Sequence, residues 1–400
     1  PAGTDIPGYM EQLRAGNWDK AARIIMQYNP FPMFTSRICP HPCQDKCNQN
    51  NYGDSVGIHS VERSLGDYIM EHMDTYYPAP EKETGKSVAV IGAGPSGLTA
   101  AFYLRRAGHI VTIYDRMEKS GGVLRYGIPH YRLPKNIVDR VETALTAMGV
   151  EFRMNTEIGR DVAIENIVER YDKVYLATGA WKQPVIGLGG EELTEFGLNF
   201  LVEVNTYLQK AIGNDVLVCG GGNVAMDVAL TAKRLGAKTV KLVCRKRKED
   251  LSASPEELAR VIEEGVEIYD CRGLRNVITD ENGKVTGLHT VRCYSVRGAN
   301  GKFTTNYDED DTLDISADYI IMATGQKVGL DFLGEKLASQ IKTERGLIDA
   351  DKQTYATKYP DIYAGGDAVT GPDIAIRAIQ AGRAAARSIN RALGGGTFEF

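Results

Sequence analysis

The stretch Ser87 to Asp115, SVAVIGAGPSGLTAAFYLRRAGHIVTIYD, decides the fold. Its apolar start, Val88 to Ile91, reads as a strand running into Gly92, Gly94 and Gly97. Missing side chains at those positions permit a tight turn, close approach of backbone to a pyrophosphate, and packing of the next helix on the strand. Pro95 and Ser96 open that helix, whose free N–H groups and dipole offer an anion site. A second strand ends at Asp115, with Arg116 beside it, where a carboxylate suits a pair of ribose hydroxyls. The unit is expected to hold a dinucleotide.

The unit recurs. Asp215 to Arg247, DVLVCGGGNVAMDVALTAKRLGAKTVKLVCRKR, carries Gly220 and Gly222 in the first two glycine positions and Ala225 in the third, with Asn223 and Val224 entering the helix. Sliding the copies together, with one residue inserted in the second, places Cys244 opposite Asp115 and puts Arg245 and Lys246 directly after it. A carboxylate would repel a 2'-phosphate that Arg or Lys binds, so the second site is expected to prefer a phosphorylated ribose. The alternative for this basic run is a solvated turn. Apolar strands ending in Ala-Thr-Gly also occur twice, at Ala177 to Gly179 and at Ala323, Thr324 and Gly325.

Between and after the copies stand further ligand-facing candidates. In GGVLRYGIPHYRLPK, Gly121 and Gly122 can bring backbone against a ligand, while Arg125, Arg132 and Lys135 offer charge to phosphates. Near the end, DIYAGGDAVTGPDIAIRAIQ gives a strand, a turn at Gly366 and Asp367, and a helix starting near Asp373 and Ile374. From Glu267 to Ile321 the pattern is alternating strands and polar turns, ENGK and RGANGK, with the acidic YDEDDTLD expected as a solvated loop.

The first 80 residues read as helical and irregular, with a linker and boundary near Glu81. In ICPHPCQDKC, Cys39, Cys43 and Cys47 are separated by prolines and polar residues. Thiolates clustered in this way hold iron-sulfur clusters; zinc, and plain structural thiols, are the alternatives. His41, His59 and Glu62 are the nearby non-cysteine ligand candidates.

Composition limits the function classes. A chain of 400 residues, 43% hydrophobic, exceeds a single core and implies two or three domains. A net charge of −5 with both signs interspersed argues against a nucleic-acid or membrane-surface role. No apolar run approaches the ~20 residues of a membrane span. Seven cysteines, three crowded and four scattered, fit a reducing cytoplasm and not a secreted disulfide framework. Cys219, Cys244, Cys271 and Cys293 stand singly, form no CxxC, and are expected as packing residues.

In this order, and behind NPFPMFTSRICPHPCQDKC, the segments VAVIGAGPSGLTAA, GGVLRYGIPHYRLPK, GGGNVAMDVA, IMATGQ and AGGDAVTGPDIAIRAIQAGRAAA resemble the glutamate synthase small-subunit family. That family includes the flavin subunit of NADH-dependent ferredoxin:NADP oxidoreductases and the N-terminal half of dihydropyrimidine dehydrogenase. The resemblance implies an α/β chain of two nested dinucleotide-binding, Rossmann-like domains behind a small α-helical iron-sulfur domain. The divisions expected are 1–80 for the clusters, 81–195 with 322–400 for FAD, and 196–321 for NADP(H). It implies FAD at Gly92, Gly94, Pro95, Ser96, Gly97 and Asp115, with Gly122, Leu124 and Arg132 as later flavin contacts and Asp367 at the ribityl chain. Gly222, Asn223 and Val224 match the nicotinamide-side loop, and Arg245 with Lys246 the 2'-phosphate pair. Cys39, Cys43 and Glu62 resemble ligands of a flavin-proximal 4Fe-4S cluster and Cys47 a ligand of a distal one. The family's first cysteine group lies upstream of the segment matching PAGTDIP, so the remaining thiolates are expected from a segment preceding Pro1. The function implied is a cytoplasmic oxidoreductase serving a partner subunit or ferredoxin, with no catalytic side chain assigned. The alternative is a non-catalytic electron-relay or scaffold subunit.

Overall fold

The computed structural model describes residues 1–297 and 303–397, so most of the expected RGANGK turn and the last three residues lie outside the described residues. Two compact units emerge. The first comprises Pro1–Arg125, His130–Lys182 and the chain from Lys327; the second comprises Tyr126–Pro129 and Gln183–Gln326.

The first unit is built on a parallel sheet in the order Ile362–Ala364, Lys173–Leu176, Ser87–Ile91, Ile110–Tyr114, Glu151–Arg153. A parallel sheet covered on both faces needs apolar strands, and Val88, Ala89 and Val90 are fully buried. On one face the helix Pro95–Arg106 meets the helix Ala375–Ala392 at close range. A Cβ on Gly382 would lie 2.2 Å from the Ser96 carbonyl, so glycine is what lets these two backbones approach. The other face buries Ile91, Val174, Leu176 and Ile362 beneath Ile164, Ile167, Leu333 and Leu337.

The helical residues 1–80 fall within this same unit. The reason is legible in the contacts. Phe31 sets its ring edge to face with Phe102 at 6.4 Å, and the Tyr103 hydroxyl donates to the Met26 carbonyl at 2.8 Å. Buried Arg383 donates to the carbonyls of Gln27 (3.0 Å) and Ala2 (2.9 Å). Before Asn29 stand two helices, Ile6–Arg14 and Trp18–Met26, separated at Gly16, whose φ of +77° is left-handed.

The second unit repeats the plan with strands ordered Glu195–Phe196, Tyr319–Met322, Asp215–Cys219, Thr239–Val243, Glu267–Tyr269, all parallel. Beside them an antiparallel sheet runs Phe303–Ser316, Val285–Arg297, Arg272–Thr279. Residues 183–195 belong to this unit because Val277 N–H donates to the Gly189 carbonyl at 2.7 Å. The acidic YDEDDTLD is strand, not loop. Partners on the other strands make that tolerable: Arg275 pairs with Glu309 and Arg272 with Asp311 at 2.9 Å, and the His289 ring lies 2.5 Å from the Asp314 carboxylate.

Candidate nucleotide and cluster sites

At the first glycine turn three glycines have three different reasons. Gly92 has φ +109°, and a Cβ there would lie 2.3 Å from the Ala177 carbonyl. A Cβ on Gly97 would lie 1.9 Å from the Gly92 carbonyl, so it permits the helix to pack on the turn. Gly94 caps the helix with φ −81° and ψ 175° below zero, backbone that any residue adopts, and an added Cβ meets nothing within 4 Å. The space in front of Gly94 is thus empty of protein. Gly122 borders it, with φ +52° and a would-be Cβ 2.9 Å from the Gly94 Cα, and Gly121 N–H donates to the Ala93 carbonyl at 2.8 Å.

Asp115 is half-buried just after its strand. Its carboxylate accepts from the N–H groups of Ala93 (2.7 Å) and Met117 (2.8 Å). Burial pushes its pKa up, while those two donors and Arg116 pull it back. A cleft of about 200 Å³ opens here, lined by Asp115, Thr156, Thr178, Trp181 and Phe332, with the Arg116 guanidinium 5.6 Å over the Trp181 ring. Of these, Thr156, Trp181 and Phe332 were missed in the sequence, because the first two sit on loops and the third in the three-residue helical turn Asp331–Leu333, with no periodic signal, and they reach the cleft only through the sheet order. Leu124 is buried and Arg132 half-buried in the segment after Gly122.

The Gly366 turn approaches the same helix start: with φ +65°, its would-be Cβ lies 3.0 Å from the Ser96 Cβ. Asp367 opens the short helix Asp367–Thr370, and burial pushes its carboxyl up to about 7, against the pull of the Asp373 N–H. Ile374 caps the helix Ala375–Ala392. The turn, Asp367 and the Ser96 end of the first helix therefore share one neighbourhood, and a carboxyl near 7 can both donate to and accept from hydroxyls.

The second turn follows the first atom for atom where the backbone sets it. Gly92 N–H donates to the Tyr114 carbonyl and Gly220 N–H to the Val243 carbonyl, at 2.8 and 2.9 Å. Asp115 N–H reaches Arg153 and Cys244 N–H reaches Tyr269 in the neighbouring strands. Asp115 and Cys244 are equivalent in structure, as their alignment implies. Gly220 has φ +153° with a would-be Cβ 2.4 Å from the Ala323 carbonyl, whereas Gly222 caps its helix in extended backbone and meets only the Ser252 Oγ, at 3.5 Å. The Asn223 side chain accepts from Ser254 N–H at 2.8 Å, which holds the loop after Leu251 beside the turn; Val224 is half-buried, and Thr324 and Gly325 are exposed. Arg245 and Lys246 are exposed and make no ion pair among the described residues.

In the N-terminal segment, Cys39 ends the helix Pro32–Ile38 and Cys43 lies in the short helix Pro42–Asp45. Glu62, on the helix Ile58–Glu71, accepts from the Tyr9 hydroxyl at 3.1 Å. Burial pushes the Cys39 thiol up to about 11, with Cys43 and Glu62 adding to the rise, and burial and Glu62 raise Cys43 in turn. The three donors are therefore within reach of one another's charge. Cys47 precedes the turn Asn48–Asn51, and His41 stacks on His59 with ring centroids 3.8 Å apart. Among the described residues no three ligating side chains converge on a single metal ion. A four-iron cluster instead takes its ligands at separate corners, and half-buried thiols beside a half-buried carboxylate fit that group. Cys39→Ser is accordingly expected to lower iron and sulfide content in anaerobically prepared protein, and unchanged content in that variant would remove Cys39 from the ligand set.

Two parallel sheets, each with a glycine turn and a helix N-terminus at its strand ends, define the class of two-domain nucleotide-binding reductases. A model of the pyridine nucleotide-disulphide oxidoreductase family matches residues 86–382, and one described as dihydropyrimidine dehydrogenase domain II, 4Fe-4S cluster, matches 1–74. The chain is 32% identical, over 98% of its length and 62% of the relative's, to the NADPH-Fe(3+) oxidoreductase subunit beta of Geobacter sulfurreducens. It is 32% identical over 97% of its length to the NADPH glutamate synthase small chain of Escherichia coli, covering 86% of that protein. FprA of Mycobacterium tuberculosis in complex with NADPH matches in fold with a TM-score of 0.65 at 16% identity, over 79% of this chain and 87% of that one. The chain belongs to the pyridine nucleotide-disulphide oxidoreductase family, among the relatives of the glutamate synthase small chain. It spans about 60% of the first of these relatives. Membership makes it an oxidoreductase with a 4Fe-4S domain at its N-terminal side. No helix among the described residues is long and apolar enough to cross a membrane.

Proposed function

We propose that the chain is a flavoprotein subunit that moves a hydride between NADP(H) and FAD, and single electrons between FAD and a 4Fe-4S cluster, for a partner subunit or ferredoxin. One observation carries the reading: two turns alike in backbone differ at one place, Asp115 in the first and Cys244-Arg245-Lys246 in the second. In the first unit the helix start at Gly94 to Gly97 would hold the FAD pyrophosphate, Asp115 the adenosine ribose, and Asp367 the ribityl hydroxyls. Cys39, Cys43 and Glu62, in the same unit, would hold the cluster, which leaves the second unit, Gln183–Gln326, for NADP(H) and the rest of the first for FAD. FAD supplies the step between two-electron and one-electron chemistry. The chain's part is to bind and orient, which is why no acid or base is assigned. Thiolate ligands need a reducing compartment, which supports the cytoplasm.

A scaffold that left nicotinamide chemistry to a partner would not need the space in front of Gly222 kept clear. The deciding experiment is anaerobic addition of NADPH to FAD-loaded, cluster-loaded protein. Bleaching of the flavin band followed by the spectrum of a reduced cluster is expected, and a flavin that neither NADPH nor NADH reduces would establish the scaffold. Nucleotide preference has its own test. Charge-assisted bonds to a 2'-phosphate are worth ~1.5–3 kcal/mol, so Arg245→Ala is expected to weaken NADPH binding roughly ten- to a hundredfold and to spare NADH. Equal losses for both nucleotides in a binding titration would mean Arg245 does not touch the 2'-phosphate.

A further inference from the structure

Three cysteines that the sequence scatters meet in the second unit. Cys244 ends one strand, Cys271 precedes the strand Arg272–Thr279, and Cys293 lies in Val285–Arg297. The last two strands pair antiparallel with Arg292 opposite Arg272. One step further, Cys293 N–H donates to the Cys271 carbonyl at 2.9 Å, which makes these cysteines cross-strand partners. Residues facing each other in an antiparallel pair hold their Cα atoms about 4.5–5.5 Å apart, inside the ~4.4–6.8 Å that a disulfide spans. Both thiols are free here, and burial raises the Cys293 thiol with Cys271 adding to the rise.

We propose that Cys271 and Cys293 form a reversible disulfide that loosens the backbone of Arg245 and Lys246. The connection is direct. The buried Cys293 thiol donates to the Arg245 carbonyl at 3.3 Å. Cys271 has φ +52°, which ends the ladder and turns its N–H to the Lys246 carbonyl at 3.3 Å. Cys271 is half-buried and is the thiol a small oxidant reaches first; burial and then Asp270 raise it, and Arg292 and Arg247 pull it back toward the thiolate. The oxidant is a low-molecular-weight disulfide such as glutathione disulfide. Cys271 thiolate attacks one of its sulfurs, the first glutathione leaves as thiolate, and Cys293 gives up its proton and displaces the second. Two protein thiols lose two electrons and two protons, and one small disulfide becomes two thiols. Cys293 then has no S–H to offer Arg245, and its sulfur is drawn toward Cys271. Loss of one neutral hydrogen bond behind the loop is expected to raise the NADPH dissociation constant about two- to tenfold, leaving NADH unchanged.

The nucleotide effect rests on the 2'-phosphate reading of Arg245; the disulfide does not. The test uses the full chain with flavin and cluster in place, treated anaerobically with glutathione disulfide, alkylated and mapped as peptides without reduction. A Cys271 peptide joined to a Cys293 peptide, two hydrogens lighter than their sum, is expected, together with weaker NADPH binding that dithiothreitol restores. Cys293→Ser keeps a hydroxyl donor to Arg245 and should abolish both effects, whereas Cys219→Ser should keep the crosslink. Full alkylation of Cys271 and Cys293, or glutathione retained on Cys271, overturns the disulfide. A crosslink with unchanged NADPH affinity overturns the coupling, and Arg245→Ala in the reduced protein then reveals whether the 2'-phosphate reading fell with it.

Discussion

Gly94→Val is expected to give a folded protein that keeps no FAD. The first half of that expectation comes from the backbone. Gly94 sits at φ −81° in extended conformation, so valine has no dihedral penalty there, and its Cβ would meet no protein atom within 4 Å. Gly92 and Gly97 differ, since a Cβ at either would lie under 2.5 Å from a carbonyl oxygen and disturb the sheet itself. The second half comes from what the empty space is for. A pyrophosphate seated on the helix start would take two or more charge-assisted N–H bonds at ~1.5–3 kcal/mol each, and a valine side chain displaces it from all of them. The loss is then roughly a hundredfold or more in affinity. Flavin absorbance after reconstitution and washing measures it, with circular dichroism and thermal unfolding as the control for folding. A Gly94→Val protein that melts like the parent and retains stoichiometric FAD would move the flavin elsewhere.

The turns were legible in the sequence because everything that makes them is local. Strand, glycines, helix and terminal acid fall within Ser87 to Asp115, and the second copy repeats the strand, turn and helix so that one inserted residue aligns Cys244 with Asp115. The hydrogen bonds from Gly92, Gly220, Asp115 and Cys244 reproduce that alignment because parallel pairing fixes the register once both strands are given. The distinction among the glycines was not legible. Gly92, Gly94 and Gly97 look alike in a motif, and only the carbonyls of Ala177 and Gly92 separate a glycine the fold needs from one a ligand needs.

What the sequence hid is what distant strands bring together. Cys244, Cys271 and Cys293 stand singly along the chain, so each reads as a packing residue, and only the pairing of Val285–Arg297 with Arg272–Thr279 makes two of them neighbours. Thr156, Trp181 and Phe332 reach the Asp115 cleft from loops and a short helical turn behind other strands. The acidic stretch after Asn306 failed for the converse reason: charge density argues for a loop until Arg272, Arg275 and His289 appear on the other two strands of its sheet. Cys39, Cys43 and Glu62 lie between these cases, with the thiols grouped by sequence and the carboxylate brought in by its helix.

Gly222→Val is the matching experiment in the second unit, and its value is that it should separate two functions in one chain. Gly222 also caps its helix in extended backbone, at φ −104° and ψ 177°, and the nearest atom to an added Cβ is the Ser252 Oγ at 3.5 Å, an ordinary contact. Valine therefore fits the polypeptide, apart from the Ser252 hydroxyl that donates to Gly221 at 3.3 Å and turns about one bond. It does not fit a pyrophosphate resting on the N–H groups at Asn223 and Val224. By the same count of lost charge-assisted bonds, NADPH and NADH should both weaken by roughly a hundredfold or more, because the pyrophosphate is common to them. That contrasts with Arg245→Ala, which should discriminate between the two nucleotides. FAD content should stay at the parent level, since Gly222 lies in the second unit and the cradle at Gly94 in the first. Flavin reduction by dithionite should also survive while reduction by NADPH is lost, which tells a binding defect from a damaged flavin site. Parent-level NADPH reduction in Gly222→Val protein would mean that the nicotinamide nucleotide does not use this turn.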